Sequence, residues 1–273
     1  MQGIKDFIPT HSKISYINKL LQVGFDTIDM GSFVSPRIVP QMQDTAEVLR
    51  NLDLAGSASG ILVIAANSRG IEEATAYEAI NYIGFPLSLS ETFQQRNTNR
   101  SIEDAFTVIE KGNNLLTGIS KQMVVYLSMG FGNPYNDPYS PEYIRQFVLR
   151  LSEMGIRTIS LSDTIGIATP ALISRLFSEV LSEFPQIEFG AHLHSHPATV
   201  EDKLEAAFNA GCMRFDSAIN GYGGCPMADD HLVGNLATQQ VIRFFESKKL
   251  NLGLHKDALT SAMIEASAIF PLS

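Results

Sequence analysis

The chain has 273 residues, 45% of them hydrophobic and 18% charged, a composition that describes a folded globular protein rather than a disordered or fibrous one. Its formal net charge of −9 leaves no basic surface for broad nucleic-acid binding, and no stretch approaches the roughly 20 apolar residues of a membrane span. Two cysteines, Cys212 and Cys225, do not make a disulfide framework, and the opening Met1-Gln2-Gly3-Ile4-Lys5-Asp6 holds no apolar signal core, so the sequence reads as a cytoplasmic protein.

In chain order, a loop leads into an amphipathic helix at about 12–23, with Ile14, Ile17, Leu20 and Leu21 on one face. Short runs rich in Val, Ile, Leu and Phe then follow at 25–29, 61–65, 82–87, 123–128, 156–161, 187–191 and 213–217, alternating with helical patterns. Strands separated by helices predict a parallel sheet, because parallel strands need crossover connections. Three joints repeat one grammar, Val23-Gly24-Phe25, Met154-Gly155-Ile156 and Ala210-Gly211-Cys212, in which glycine takes a left-handed helix cap before the next strand. The clearest helix starts at Ser140-Pro141-Glu142 and buries Ile144, Phe147, Val148 and Leu151; Thr169-Pro170 opens another in the same way. A last helical segment covers about 255–270. The expected fold is a single α/β domain over 1–273, a TIM (β/α)8-type barrel one strand short of closure. The missing strand is expected ahead of residue 1, which would leave open edges beside 25–29 and 213–217.

Chemistry concentrates at the ends of these strands, where barrel enzymes keep their sites. His192 and His194 are two apart on a strand, so their side chains share a side and can reach one ion, although a hydrogen-bonded pair of histidines has the same spacing. His196 continues the alternation, but Pro197 stops the strand and assigns it a structural place. Asp29 and Asp163-Thr164 end two other strands, as acid/base or metal-supporting carboxylates if they converge, as turn caps if they do not. Gly221-Tyr222-Gly223-Gly224-Cys225-Pro226 puts a thiol into a glycine-rich turn, where a nearby metal or cation would lower its pKa. Asn235 offers either a ligand oxygen or an N-cap.

Taken together these motifs resemble the 3-hydroxy-3-methylglutaryl-CoA lyases of the DRE-TIM metallolyase group. The resemblance runs through Ser32-Phe33-Val34-Ser35-Pro36 with Val39-Pro40-Gln41-Met42, Asp163-Thr164-Ile165-Gly166, His192-Leu193-His194, the loop from Gly221 to Pro226, and Gly234-Asn235-Leu236-Ala237-Thr238. It implies that His192, His194 and Asn235 ligate a divalent ion, Mg2+ or Mn2+, with Cys225, Asp29 and Asp163 as catalytic residues and Gln2 and Ser32 against substrate. Asp29 stands where the family usually has a glutamate. The implied reaction is a retro-Claisen cleavage of a CoA thioester to acetyl-CoA and acetoacetate, with Cys225 delivering a proton to the departing enolate and Asp29 and Asp163 supporting the base side. A homo-oligomer, a dimer first, is the assembly it implies.

Three departures accompany the likeness. The family's first strand ends in an Arg-Asp pair just before the residues matching Met1-Gln2, and neither is present. Ser195 replaces an acid that often follows the second histidine, and the segment from Pro226 to Gly234 is one residue longer than the commonest family form. With a metal ligand and a cation missing, this chain is expected to be poorly active or inactive. The alternatives are a lyase for another 3-hydroxyacyl-CoA, a Claisen-type synthase or aldolase acting on a 2-oxo acid, or a non-catalytic remnant; the glycine-loop cysteine argues against the synthases, and the retained site residues against the remnant.

Overall fold

A computed structural model describes residues 1, 2, 4, 6–223 and 234–270. Helix α1 (Thr10–Leu21) leads into strand β1 (Thr27–Ser32), and the alternation continues with α2 (Thr45–Arg50), β2 (Gly60–Ile64), α3 (Ser68–Thr75) and β3 (Ile80–Ser88). Two helices, α4 (Glu91–Thr98) and α5 (Ile102–Leu116), precede β4 (Gln122–Ser128); then come α6 (Pro141–Glu153), β5 (Thr158–Asp163), α7 (Pro170–Glu183), β6 (Glu188–Leu193), α8 (Val200–Asn209) and β7 (Arg214–Phe215). Helices α9 (Thr238–Ser247) and α10 (Lys256–Ile269) complete the described chain. The seven strands pair in sequence order and every pairing is parallel, the curled sheet of a TIM-type barrel. Among the described residues β1 pairs only with β2 and β7 only with β6. No helix of the described residues is long and apolar enough to cross a membrane.

The expected elements are present, with shifts that have local causes. Gly24, Gly155 and Gly211 all take positive φ, at 88°, 82° and 101°, as the three joints require. A short turn follows the first two, so β1 and β5 begin two residues later than the apolar runs that announce them. Ser140 and Thr169 cap α6 and α7 through their side-chain oxygens, which accept from the N–H groups of Tyr143 and Leu172, each with proline next in the chain. Helix α6 buries Ile144, Phe147, Val148 and Leu151.

Alternation along each strand separates two environments. Ile61 and Val63, Ile83 and Phe85, Val125 and Leu127, Ile159 and Leu161, and Phe189 and Ala191 join the main hydrophobic core with the helices outside the sheet. The other set faces inward and carries the polar groups. There, three glycines make room for a large neighbour: a Cβ on Gly60 would meet the Tyr82 ring at 2.6 Å, one on Gly84 the Ile64 side chain at 2.6 Å and Tyr126 at 3.0 Å, and one on Gly190 the Ser160 hydroxyl at 2.5 Å and the Arg214 stem at 3.0 Å.

On the β1–β7 flank a second, smaller core forms between helices. Ile8, Tyr16, Val23, Ile219, Ala262, Ala266 and Phe270 pack together, joining α1 and α10 to the turn after β7. Sequence periodicity places both helices but does not reveal that they share this core.

Candidate active site

Strand β6 delivers His192 and His194 to the carboxyl end of the sheet, with Leu193 between them turned into the core. The His192 Nδ1 lies 3.1 Å from Asp216 Oδ2, and the His194 Nδ1 3.0 Å from the Thr164 carbonyl. A carboxylate and a carbonyl only accept, so each Nδ1 carries the hydrogen and each Nε2 is left for another partner. The rings stand 5.5 Å apart, centroid to centroid. Asn235 reaches the same place from the far side of residues 224–233. It forms an antiparallel bridge with His194, and its Nδ2 donates to the Tyr222 carbonyl at 3.0 Å, which turns Oδ1 toward the His194 ring. Asn235 caps no helix, since α9 starts at Thr238 after Ala237.

The electrostatics sort these groups further. Desolvation and then the charge of His192 push the His194 pKa down to about 4, so its imidazole is neutral at physiological pH. Desolvation works against protonation of His192 too, but the hydrogen bond and charge of Asp216, with Asp29 beyond, outweigh it and raise its pKa. Asp216 is correspondingly held below its usual range: its own burial is overcome by His192 and Arg214, and Ser160 donates to it at 3.2 Å. Tyr126 from β4 stacks edge-on to His192 at 5.5 Å.

The two aspartates sit differently, Asp29 within β1 rather than at its end and Asp163 as the last residue of β5. Asp29 keeps contact with solvent, yet protein closes around its carboxylate on the inner face of the sheet. That burial, then the charge of Asp216, pushes its pKa up to about 7, against the pull of His192, the Met1 amino group and the Gly31 N–H. Asp163 is only 1% exposed, its oxygens accepting from Lys203 Nζ at 2.7 Å and from the Ala168 N–H at 3.1 Å. Lys203 also donates to the carbonyls of Gly166 and His194. Asp163 thus ties the loop after β5 to the end of β6, the turn-cap geometry open to an Asp-Thr pair.

The other expected contacts fall as follows. The Ser32 hydroxyl donates to the Ile64 carbonyl and accepts from the Val34 N–H, so it braces the end of β1. Gln2 is exposed. His196 caps a short turn by accepting from the Ala198 N–H. Cys225 lies outside the described residues. Cys212, the other cysteine, is buried under β6 with its thiol pushed up to about 12 by desolvation.

Sequence reasoning overlooked Asp216, Arg214 and Lys203. Each left a signal: Arg214 and Asp216 are charges two apart in the expected strand 213–217, and Lys203 occupies the buried face of α8 beside Val200, Leu204 and Ala207.

An HMGL-like family model matches residues 1–266. The chain belongs to the HMGL-like family. Over 259 residues it is 34% identical to the cytoplasmic 3-hydroxy-3-methylglutaryl-CoA lyase of Rattus norvegicus, covering 94% of this chain and 74% of that one. The solved hydroxymethylglutaryl-CoA lyase of Pseudomonas aeruginosa superposes with a TM-score of 0.91 at 30% identity, over 100% of this chain and 90% of the other. An HMG-CoA lyase from Acinetobacter baumannii, solved with coenzyme A and 3-methylmalate, superposes at 0.90 with 29% identity, over 98% and 87%. The HMGL-like family implies a divalent metal. Among the described residues no three His, Cys, Asp or Glu side chains gather as a metal site; the His194 ring has the His192 ring 5.5 Å away and the Asn235 amide against it. The Nδ1 of each histidine and the Nδ2 of Asn235 are tied to protein, the outer-shell pattern that orients metal ligands, and the Asn235 amide oxygen is directed at the His194 ring. The donors fit the group.

Proposed function

We propose that the chain cleaves 3-hydroxy-3-methylglutaryl-CoA to acetyl-CoA and acetoacetate, and that His192, His194 and Asn235 hold Mg2+ or Mn2+ for that reaction. Mixed nitrogen and oxygen donors suit either ion, the imidazoles favouring Mn2+. The observation that carries the reading is the grouping of the His192, His194 and Asn235 side chains, with Asp29 near His192, in a chain of this family. The ion would supply Lewis acidity at the oxygens of the substrate.

Asp29 takes the proton of the tertiary hydroxyl. A carboxylate with a pKa near 7 is matched to proton transfer at neutral pH, and this one reaches solvent. As the hydroxyl oxygen becomes the ketone of acetoacetate, the carbon–carbon bond breaks and its electron pair passes to the enolate of acetyl-CoA. Cys225 then gives that carbon a proton, and water returns the proton from Asp29 to the thiolate. Asp216 holds the His192 ring, and Asp163 with Lys203 holds the backbone that carries His194. Gln2 remains available to the substrate by its exposure, whereas Ser32 acts through the shape of the β1 end. A cytoplasmic location is part of this reading; the rat relatives carry both cytoplasmic and mitochondrial names.

The test is an assay of the purified chain with 3-hydroxy-3-methylglutaryl-CoA and Mn2+, following acetyl-CoA and acetoacetate. The expected result is equimolar release of both products that EDTA abolishes. No product would reject the reading.

A further inference from the structure

The third donor, Asn235, is held by the backbone around Tyr222. Its Nδ2 donates to the Tyr222 carbonyl at 3.0 Å, and its own N–H donates to the Gly223 carbonyl at 3.3 Å. Tyr222 is flanked by Gly221 and Gly223, both at positive φ, 71° and 89°. Glycine restricts the backbone least of all residues, so torsional preference does little to fix the direction of the Tyr222 carbonyl. Contacts from elsewhere have to do it.

Besides the bond from the Tyr222 N–H to the Ile219 carbonyl at 3.3 Å, those contacts come from α10. The Tyr222 ring packs on Phe270 with centroids 5.4 Å apart, and Phe270 meets Tyr16 of α1 edge-on, also at 5.4 Å. One turn earlier, the Ser267 hydroxyl accepts from Asn220 Nδ2 at 3.2 Å, while Gln239 of α9 takes the Asn220 N–H at 3.1 Å. Helix α10 is itself fastened to α1 by Lys19–Glu265 at 2.6 Å and by buried Ala262 and Ala266. Phe270 is 6% exposed and lies at the meeting point of α1, α10 and Tyr222.

We infer that Phe270 is a positioning residue for the metal site: its ring, with Ser267, sets the Tyr222 carbonyl that turns the Asn235 amide so that Oδ1 faces the His194 ring, where the ion would be held. This rests on the reading of Asn235 as a ligand. It makes the last helix, which contributes no strand and no ligand, part of the apparatus that sets metal affinity.

The experiment is a Mn2+ titration of the full chain, followed by electron paramagnetic resonance of the free ion, for wild type, F270A, S267A, N235A and the doubles F270A/N235A and S267A/N235A. F270A is expected to raise the Mn2+ Kd about tenfold, and S267A, at an exposed position where folding is not at stake, about threefold. In the N235A background neither substitution has a further effect, because both act through Asn235. Equal weakening by F270A or S267A with and without Asn235 would overturn the inference, as would unchanged affinity in both single variants. An unchanged Kd in N235A would instead remove the ligand assignment on which the inference stands.

Discussion

The two flanks of the sheet put the same side chain in opposite circumstances. Under β5 and β6, Asp163 is buried and fully engaged by Lys203 and the Ala168 N–H, and the cluster ends on the His194 carbonyl. Beside β1 and β7, where the described strands have no further partners, Asp29 meets solvent, and its neighbours Asp216 and His192 pull its proton affinity in opposite directions. One flank pairs its carboxylate with a cation and is an anchor, although burial still raises the Asp163 pKa. The other leaves a carboxylate near its midpoint of titration at neutral pH and can move a proton. What separates anchor from catalyst is the partner set, not the residue type.

The comparison breaks most visibly in stability. K203M leaves the Asp163 carboxylate buried without its cation, and urea unfolding is expected to show a loss of about 3–5 kcal/mol; a loss under about 1 kcal/mol would mean that the pair anchors nothing. D29N is expected to lower kcat by about 10²–10³ with no loss of stability. The sign follows from linkage. The folded pKa of Asp29 lies above its unstructured value of 3.8, at about 7. Between these values the folded form keeps a proton that the unfolded form releases, so the wild-type group costs stability as pH rises through that window. D29N removes that cost, and a D29N chain less stable than wild type at pH 8 would contradict the assignment. Smaller still, D216N takes the acceptor from the His192 Nδ1 and is expected to weaken Mn2+ binding by about 10–100-fold while leaving the fold intact; titration of the variant checks it.

The fold was largely legible in the sequence because its signals are local. Apolar runs between glycine joints announce β1 to β7, and Ser140-Pro141 and Thr169-Pro170 place helix starts to the residue. The His192–His194 pair was legible for the same reason, since strand alternation alone puts both rings on one side. The partners were not. Asp216 meets His192 through the register of β6 on β7, and Lys203 meets Asp163 across forty residues, so neither contact has a signature within a window of sequence. The direction of the Asn235 amide depends on a carbonyl set by a helix at the other end of the chain. Asp29 and Asp163 looked alike because in the sequence each closes an apolar run, whereas β1 continues past Asp29 to Ser32 and the surroundings of the two carboxylates differ.

The most direct test of that distinction is the pH dependence of kcat/KM for cleavage of 3-hydroxy-3-methylglutaryl-CoA by the wild-type chain, D29N and D163N at saturating Mn2+. His194, with a pKa of about 4, stays neutral across the working range and contributes no step there. The account predicts that wild-type activity rises with pH to a plateau above an apparent pKa near 7, that D163N keeps this limb at whatever activity it retains, and that D29N loses it. A limb that persists in D29N, or one that vanishes in D163N alone, would contradict the assignment of base and anchor.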